Sequence, residues 1–124
     1  MIHTTSQVRG IVEEAIGARC YLEYPQKELD GVYAILQLID DVPVTTDRRG
    51  ADVTVQITYN IMIHARSGTE LMELTDKVDD AMASHRYKRI GLSSMWSGKD
   101  RNRMRTITYQ AYLDRWNNVF SGVR

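Results

Sequence analysis

Three histidines, one cysteine and scattered carboxylates are the side chains of this chain that could hold a metal, act as a nucleophile or move protons. His3, His64 and His85 stand alone: none has another histidine, a cysteine or a carboxylate at a helical or strand spacing that would gather a ligand set. His64 is expected on the polar side of a strand, as a surface histidine. Cys20 has Arg19 beside it, which could lower a thiol pKa, yet a structural, partly buried cysteine is the preferred reading. Asp40 with Asp41, and Asp79 with Asp80, are sequence neighbours, and adjacent side chains diverge in a strand or helix where a catalytic carboxylate pair must converge. They read as solvated charge. With no nucleophile elbow and no phosphate loop carrying a lysine, the sequence points away from an enzyme and calls for no cofactor or metal.

Two charged clusters remain. Arg48 and Arg49 lie in one irregular stretch, while Lys99, Asp100, Arg101, Arg103 and Arg105 mark the approach to the last strand. Such groups could meet DNA phosphate or an acidic protein rim, or form a solvated turn. Aromatic residues supply contact area with a polar tip, and Tyr112 and Trp116, near the end of the final strand, are the ones to test as interface residues.

The elements that must position these groups are read from hydrophobic period. Residues 51–66 alternate, with Val53, Val55, Ile57, Tyr59, Ile61, Ile63 and Ala65 on one side and Thr54, Gln56, Thr58, Asn60, Met62, His64 and Arg66 on the other. Residues 104–115 repeat the device with Ile107, Tyr109, Ala111 and Leu113. Between them, Leu71, Leu74, Val78, Ala81 and Met82 form a helical stripe over 68–84, its first turn acidic. An opening helix capped by Thr4, Thr5 or Ser6 carries Val8, Ile11, Val12, Ala15 and Ile16 and ends at Gly17. A strand is expected over 19–24, stopped by Pro25. A further strand over 32–39 is apolar enough to be either central or an interface strand, and another is expected over 90–96. Residues 40–52, with Pro43 and Gly50, predict a long loop or projecting hairpin; 97–103 predict a polar connection.

The sum is an α+β domain: a mainly antiparallel sheet of about five strands with two helices on one face. Its 124 residues suit one domain over 1–116 and a tail over 117–124. Sixteen basic and sixteen acidic residues cancel, so no net field draws the chain to nucleic acid or membrane. One cysteine allows no intrachain disulfide, the opening residues lack signal-peptide blocks, and no apolar run nears the roughly 20 residues of a spanning helix. Cytoplasmic assembly is the expectation.

The run Asp52-Val-Thr-Val-Gln-Ile-Thr-Tyr-Asn-Ile-Met-Ile-His-Ala-Arg66, followed by Glu70-Leu-Met-Glu-Leu-Thr-Asp-Lys-Val78, resembles the strand and helix of tail completion proteins of long-tailed phages. The later run Ser94-Met-Trp-Ser-Gly-Lys-Asp-Arg-Asn-Arg-Met-Arg-Thr-Ile-Thr-Tyr-Gln-Ala-Tyr112 is similar to their closing hairpin. With the opening helix and the Tyr24-Pro25 turn, the likeness covers most of the chain. That family includes tail terminators and head-to-tail joining proteins. The resemblance implies a structural virion protein at the head-proximal end of the tail, a homo-oligomeric ring, commonly a hexamer. Its implied partners are the tail tube protein and the head connector or head-closure protein, with few contacts to DNA in the lumen and none to membrane. On that resemblance, 40–52 and 97–103 are the docking elements, and Arg48, Arg49, Lys99, Asp100, Arg101, Arg103, Tyr112 and Trp116 form the candidate assembly interface. A small cytoplasmic module binding RNA or a ligand on the open sheet face is the competing reading.

Overall fold

A computed structural model describes residues 2–23, 25, 31–46, 52–97, 102–114 and 119–120. The described chain runs α1 (Ile2–Ile16), β1 (Cys20–Tyr21), β2 (Tyr33–Thr46), β3 (Asp52–Ala65), α2 (Gly68–Ser84), β4 (Lys88–Leu92), β5 (Trp96–Ser97), β6 (Arg103–Asp114) and β7 (Val119–Phe120). The fold is α+β, with a mostly antiparallel sheet ordered β1-β2-β3-β6-β4. Among the described residues only the β1–β2 pairing is parallel. β5, β4 and β7 pair in turn with successive parts of β6, so three short strands share its outer side.

The alternation along β3 becomes one side of a core. Ile57, Tyr59, Ile61, Ile63 and Ala65 meet Ile107, Tyr109, Ala111 and Leu113 of β6, with Ala34 and Leu36 of β2 beside them. Onto this side fall Val8, Val12 and Ile16 of α1 and Leu71, Leu74, Val78 and Met82 of α2. Each fully buried aliphatic or aromatic side chain adds about 1.5–3 kcal/mol of transfer free energy, so this layer is the main stabilising term. The other side, where Thr54, Gln56, Asn60 and Met62 are half-buried, contributes nothing to that cluster.

Both helices have defined ends. The Ser67 hydroxyl accepts from the Glu70 N–H at 3.1 Å, while the Glu70 carboxylate accepts from the Arg66 N–H at 2.9 Å, satisfying donors at the α2 start. At its end the Tyr87 N–H reaches the Met82 carbonyl and the Arg86 N–H that of Ala83, with Arg86 at φ 70°. That is the left-handed helix stop normally given to glycine, here occupied by arginine. Gly17, at φ 66°, closes α1 in the expected place.

Several boundaries differ from expectation. α1 begins at Ile2, so Thr4, Thr5 and Ser6 are helix residues and not its cap. The strand expected over 19–24 shrinks to Cys20–Tyr21. Of the stretch 40–52, expected as a long loop or projecting hairpin, the described part is strand: β2 continues through Asp40 and Pro43 to Thr46, paired with β3 as far as Asp52, while 47–51 lie outside the described residues. Pro43 is tolerated because no described strand lies on the far side of β2 there. The strand expected over 90–96 breaks into β4 and β5, and within the expected tail Val119–Phe120 returns to pair with Tyr112 and Leu113.

Candidate assembly surface

Of the eight proposed interface residues, Arg103 and Tyr112 fall within the described structure; Arg48, Arg49, Lys99, Asp100, Arg101 and Trp116 lie outside the described residues. Arg103 opens β6, opposite Ala65 on one side and Ser97 on the other. Tyr112 lies near the far end of the same strand, opposite Gln56 and Phe120. Both are half-buried. Nine steps of strand separate them, which at a rise of about 3.3 Å per residue is roughly 30 Å. The two residues therefore mark opposite ends of β6.

The loops they were grouped with follow the same division. β2 and β3 end toward 47–51 at the register level of Asp114, since Thr54 pairs with Asp114 and Thr46 with Asp52. β5 and β6 end toward 98–101 at the level of Ala65. The strand ends leading into the Arg48 and Arg49 stretch and those leading into the Lys99 to Arg101 stretch thus open in opposite directions along β6.

The other residues singled out in the sequence are bound into the fold. Cys20 is fully buried, and burial, reinforced by the nearby Glu13 carboxylate, pushes its thiol up to about 12 despite the opposing charge of Arg9. Its backbone is held from α1: the Arg9 Nε donates to the Cys20 carbonyl at 3.0 Å and the Glu13 carboxylate accepts from the Cys20 N–H at 3.1 Å. The charged neighbours that matter come from one helix turn away in space, and Arg19 is not among them. His64 corrects the expectation of a surface position. It is 4 % exposed and stacks on Tyr33, its cross-strand partner, with ring centroids 4.1 Å apart. Tyr21 meets the edge of the same Tyr33 ring. This aromatic group sits on the helix-free side but is closed, with Tyr33 only 3 % exposed, so it offers no open platform for base stacking.

Asp79 is likewise more than solvated charge. Its carboxylate accepts from the Tyr109 hydroxyl at 2.9 Å and pairs with the Arg89 guanidinium at 3.3 Å, fastening α2 to β6 and β4. Burial, then the hydrogen bond and charge of Asp79, raise the Tyr109 pKa. No group of three or more His, Cys, Asp or Glu residues placed to hold a metal ion occurs among the described residues. No described helix is long and apolar enough to cross a membrane.

Residues missed from the sequence lie at the two sheet margins. Leu22, Leu38 and Ile39 are exposed at the β2 side, and Ile90 and Leu92 at the β4 side. The available signal was the expectation that 32–39 could be an interface strand; nothing comparable marked Ile90 and Leu92, which read as part of an ordinary alternating strand. No protein-family model and no curated protein sequence matches this chain.

Proposed function

We propose that this chain is a structural virion protein: a tail completion or terminator subunit whose ring caps the tail tube of a long-tailed phage and joins it to the head connector. A single observation carries the reading. The strand ends leading into the two basic stretches open at opposite ends of β6, about 30 Å apart by strand rise. In a ring whose strands run along its axis, one stretch then meets the tube and the other meets the head, the two contacts such a joint must make. The α+β body, with both helices packed on one side of the sheet, supplies a stiff spacer between them. The chain works by geometry and contact, without catalysis, and its basic residues meet DNA in transit only weakly, because a firm grip would oppose ejection.

The test is positional. Virions separated into heads and tails should carry the chain at the head-proximal end of the tail, seen by labelled antibody in the electron microscope. Lys99→Glu with Arg101→Glu should leave the melting curve of the isolated chain unchanged while heads and tails accumulate unjoined. Normal particle yield from that variant, or a chain found elsewhere in the virion or only in the cell, refutes the proposal.

A further inference from the structure

The two lateral margins of the sheet differ in a complementary way. β1 covers β2 through its pairing with Ala34 and Ile35, and no described strand pairs with its outer side from Gln37 to Thr46. There Leu22, Leu38 and Ile39 are 46, 41 and 50 % exposed, and with Thr5, Leu36 and Gln37 they line an open groove of about 470 Å³. At the opposite margin Ile90 and Leu92 of β4 are 49 and 43 % exposed. A long bare strand edge flanked by apolar residues is a template for another strand. Its charges indicate which one. Asp40 and Asp41 follow the exposed pair on β2, whereas Lys88 and Arg89 precede Ile90 on β4.

We infer that the outer edge of β2 receives the β4 edge of a second copy of this chain, head to tail, so that the sheet continues from subunit to subunit. This deepens the ring reading above and rests on it for the premise that copies meet side by side. Copies related by rotation about an axis along the strands keep their strand directions, and β4 runs opposite to β2 in the sheet. The junction is therefore antiparallel. Pairing β2 with β2 would set acid against acid, and β4 with β4 base against base, so only the head-to-tail combination is complementary.

One register satisfies both backbones. The Ala34 N–H donates outward to the Arg19 carbonyl, and the Tyr21–Ile35 pairing takes up the outward Leu36 N–H, so by alternation Leu38 is the first residue of β2 whose N–H and C=O face out past β1. On β4 the Ser93 N–H donates inward to the Thr106 carbonyl, which leaves the Leu92 groups facing out. Leu38 opposite Leu92 can then exchange two N–H to carbonyl bonds. Both belong to the helix-covered side by register, through Tyr59 and Ile107. Each strand carries one irregularity just beyond, at Ile39 and at Ile90. Because each consumes one residue, the sides match again: Asp40 falls opposite Gly91 on the helix-free side and Asp41 opposite Arg89, with Asp40 diagonal to Lys88.

The test uses the purified full chain without tails. Leu38→Cys with Leu92→Cys in one chain should, on mild oxidation or with a short thiol cross-linker, give a ladder of covalent multimers, while each single variant stays monomeric on a denaturing gel. A double variant giving no ladder, or a Leu38→Cys variant forming dimers by itself, overturns the pairing. As a second measurement, D40K/D41K and K88D should each weaken association at least tenfold in sedimentation, and an equimolar mixture should restore it through alternating copies. A mixture that associates no better than its components counts equally against it. A ladder from a chain absent from tail ends would sink the tail role and leave the pairing standing; a tail-end ring whose subunits give no ladder would do the reverse.

Discussion

On β3, Ile57, Tyr59, Ile61 and Ile63 are wholly buried beneath the helices, whereas Thr54, Gln56, Asn60 and Met62, one step away on the same strand, remain half-buried. The helix-covered side is uniform, and its stability comes from apolar area. The helix-free side is mixed: the Thr108 hydroxyl donates to the Asn60 side-chain carbonyl at 2.7 Å, and the closed Tyr33 and His64 pair lies two rows away. One strand thus separates two tasks, holding the subunit together on one side and keeping a polar, shape-defined surface on the other.

Substitution of the same charge on the two sides breaks this comparison most directly. Ile57→Asp should cost several kcal/mol, enough to unfold the subunit, because an unpaired carboxylate would enter the apolar layer. Gln56→Asp, its chain neighbour, should change stability by only about 0.5 kcal/mol. Circular-dichroism melts of the two variants decide the matter, and equal losses would mean the sides are not distinct.

Alkali probes the covered side without mutation. The Cys20 thiol is raised from 9.0 to about 12, so the folded chain retains a proton that the unfolded chain gives up above pH 9. Its stabilising contribution is complete below about pH 9 and is lost as the pH climbs toward about 12. The buried Tyr59, Tyr87 and Tyr109, also raised, act in the same direction above the ordinary tyrosine value of 10.0. Denaturant titrations from pH 8 to 11 should show stability falling, and Cys20→Ala should flatten the first part of that fall.

Smaller effects sharpen the picture at the helix anchors. Tyr109→Phe should cost about 1 kcal/mol by removing the hydroxyl donor to Asp79. Arg86→Gly should instead stabilise by about 0.5–1 kcal/mol, since glycine occupies the left-handed helix stop without the penalty arginine meets there. Urea midpoints for both variants test the two signs.

The parts legible in the sequence were those governed by local period. β3, α2 and β6 lie within a residue of expectation because Ile57 to Ala65, Leu71 to Met82 and Ile107 to Leu113 repeat without interruption. Where a partner strand decides, period failed. Asp40, Asp41 and Pro43 left a loop and a projecting hairpin both open by period, and it is β3 opposite them that supplies the ladder holding β2 extended. Val119 and Phe120 become a strand only because β6 has room beside Tyr112 and Leu113. His64 keeps its polar-side parity but is buried by Tyr33, which lies far away in sequence. Charge singled out Arg103 and its neighbours, but nothing in the order of residues revealed that Arg103 and Tyr112 stand at opposite ends of one strand.

The deep burial of Cys20 has a practical consequence. Because the native thiol is shielded and stays protonated near neutrality, the unaltered chain is a silent background for maleimide chemistry. A fluorophore or spin label attached to a surface cysteine introduced at will would report from that position alone, giving distance measurements between neighbouring copies without first removing a native residue.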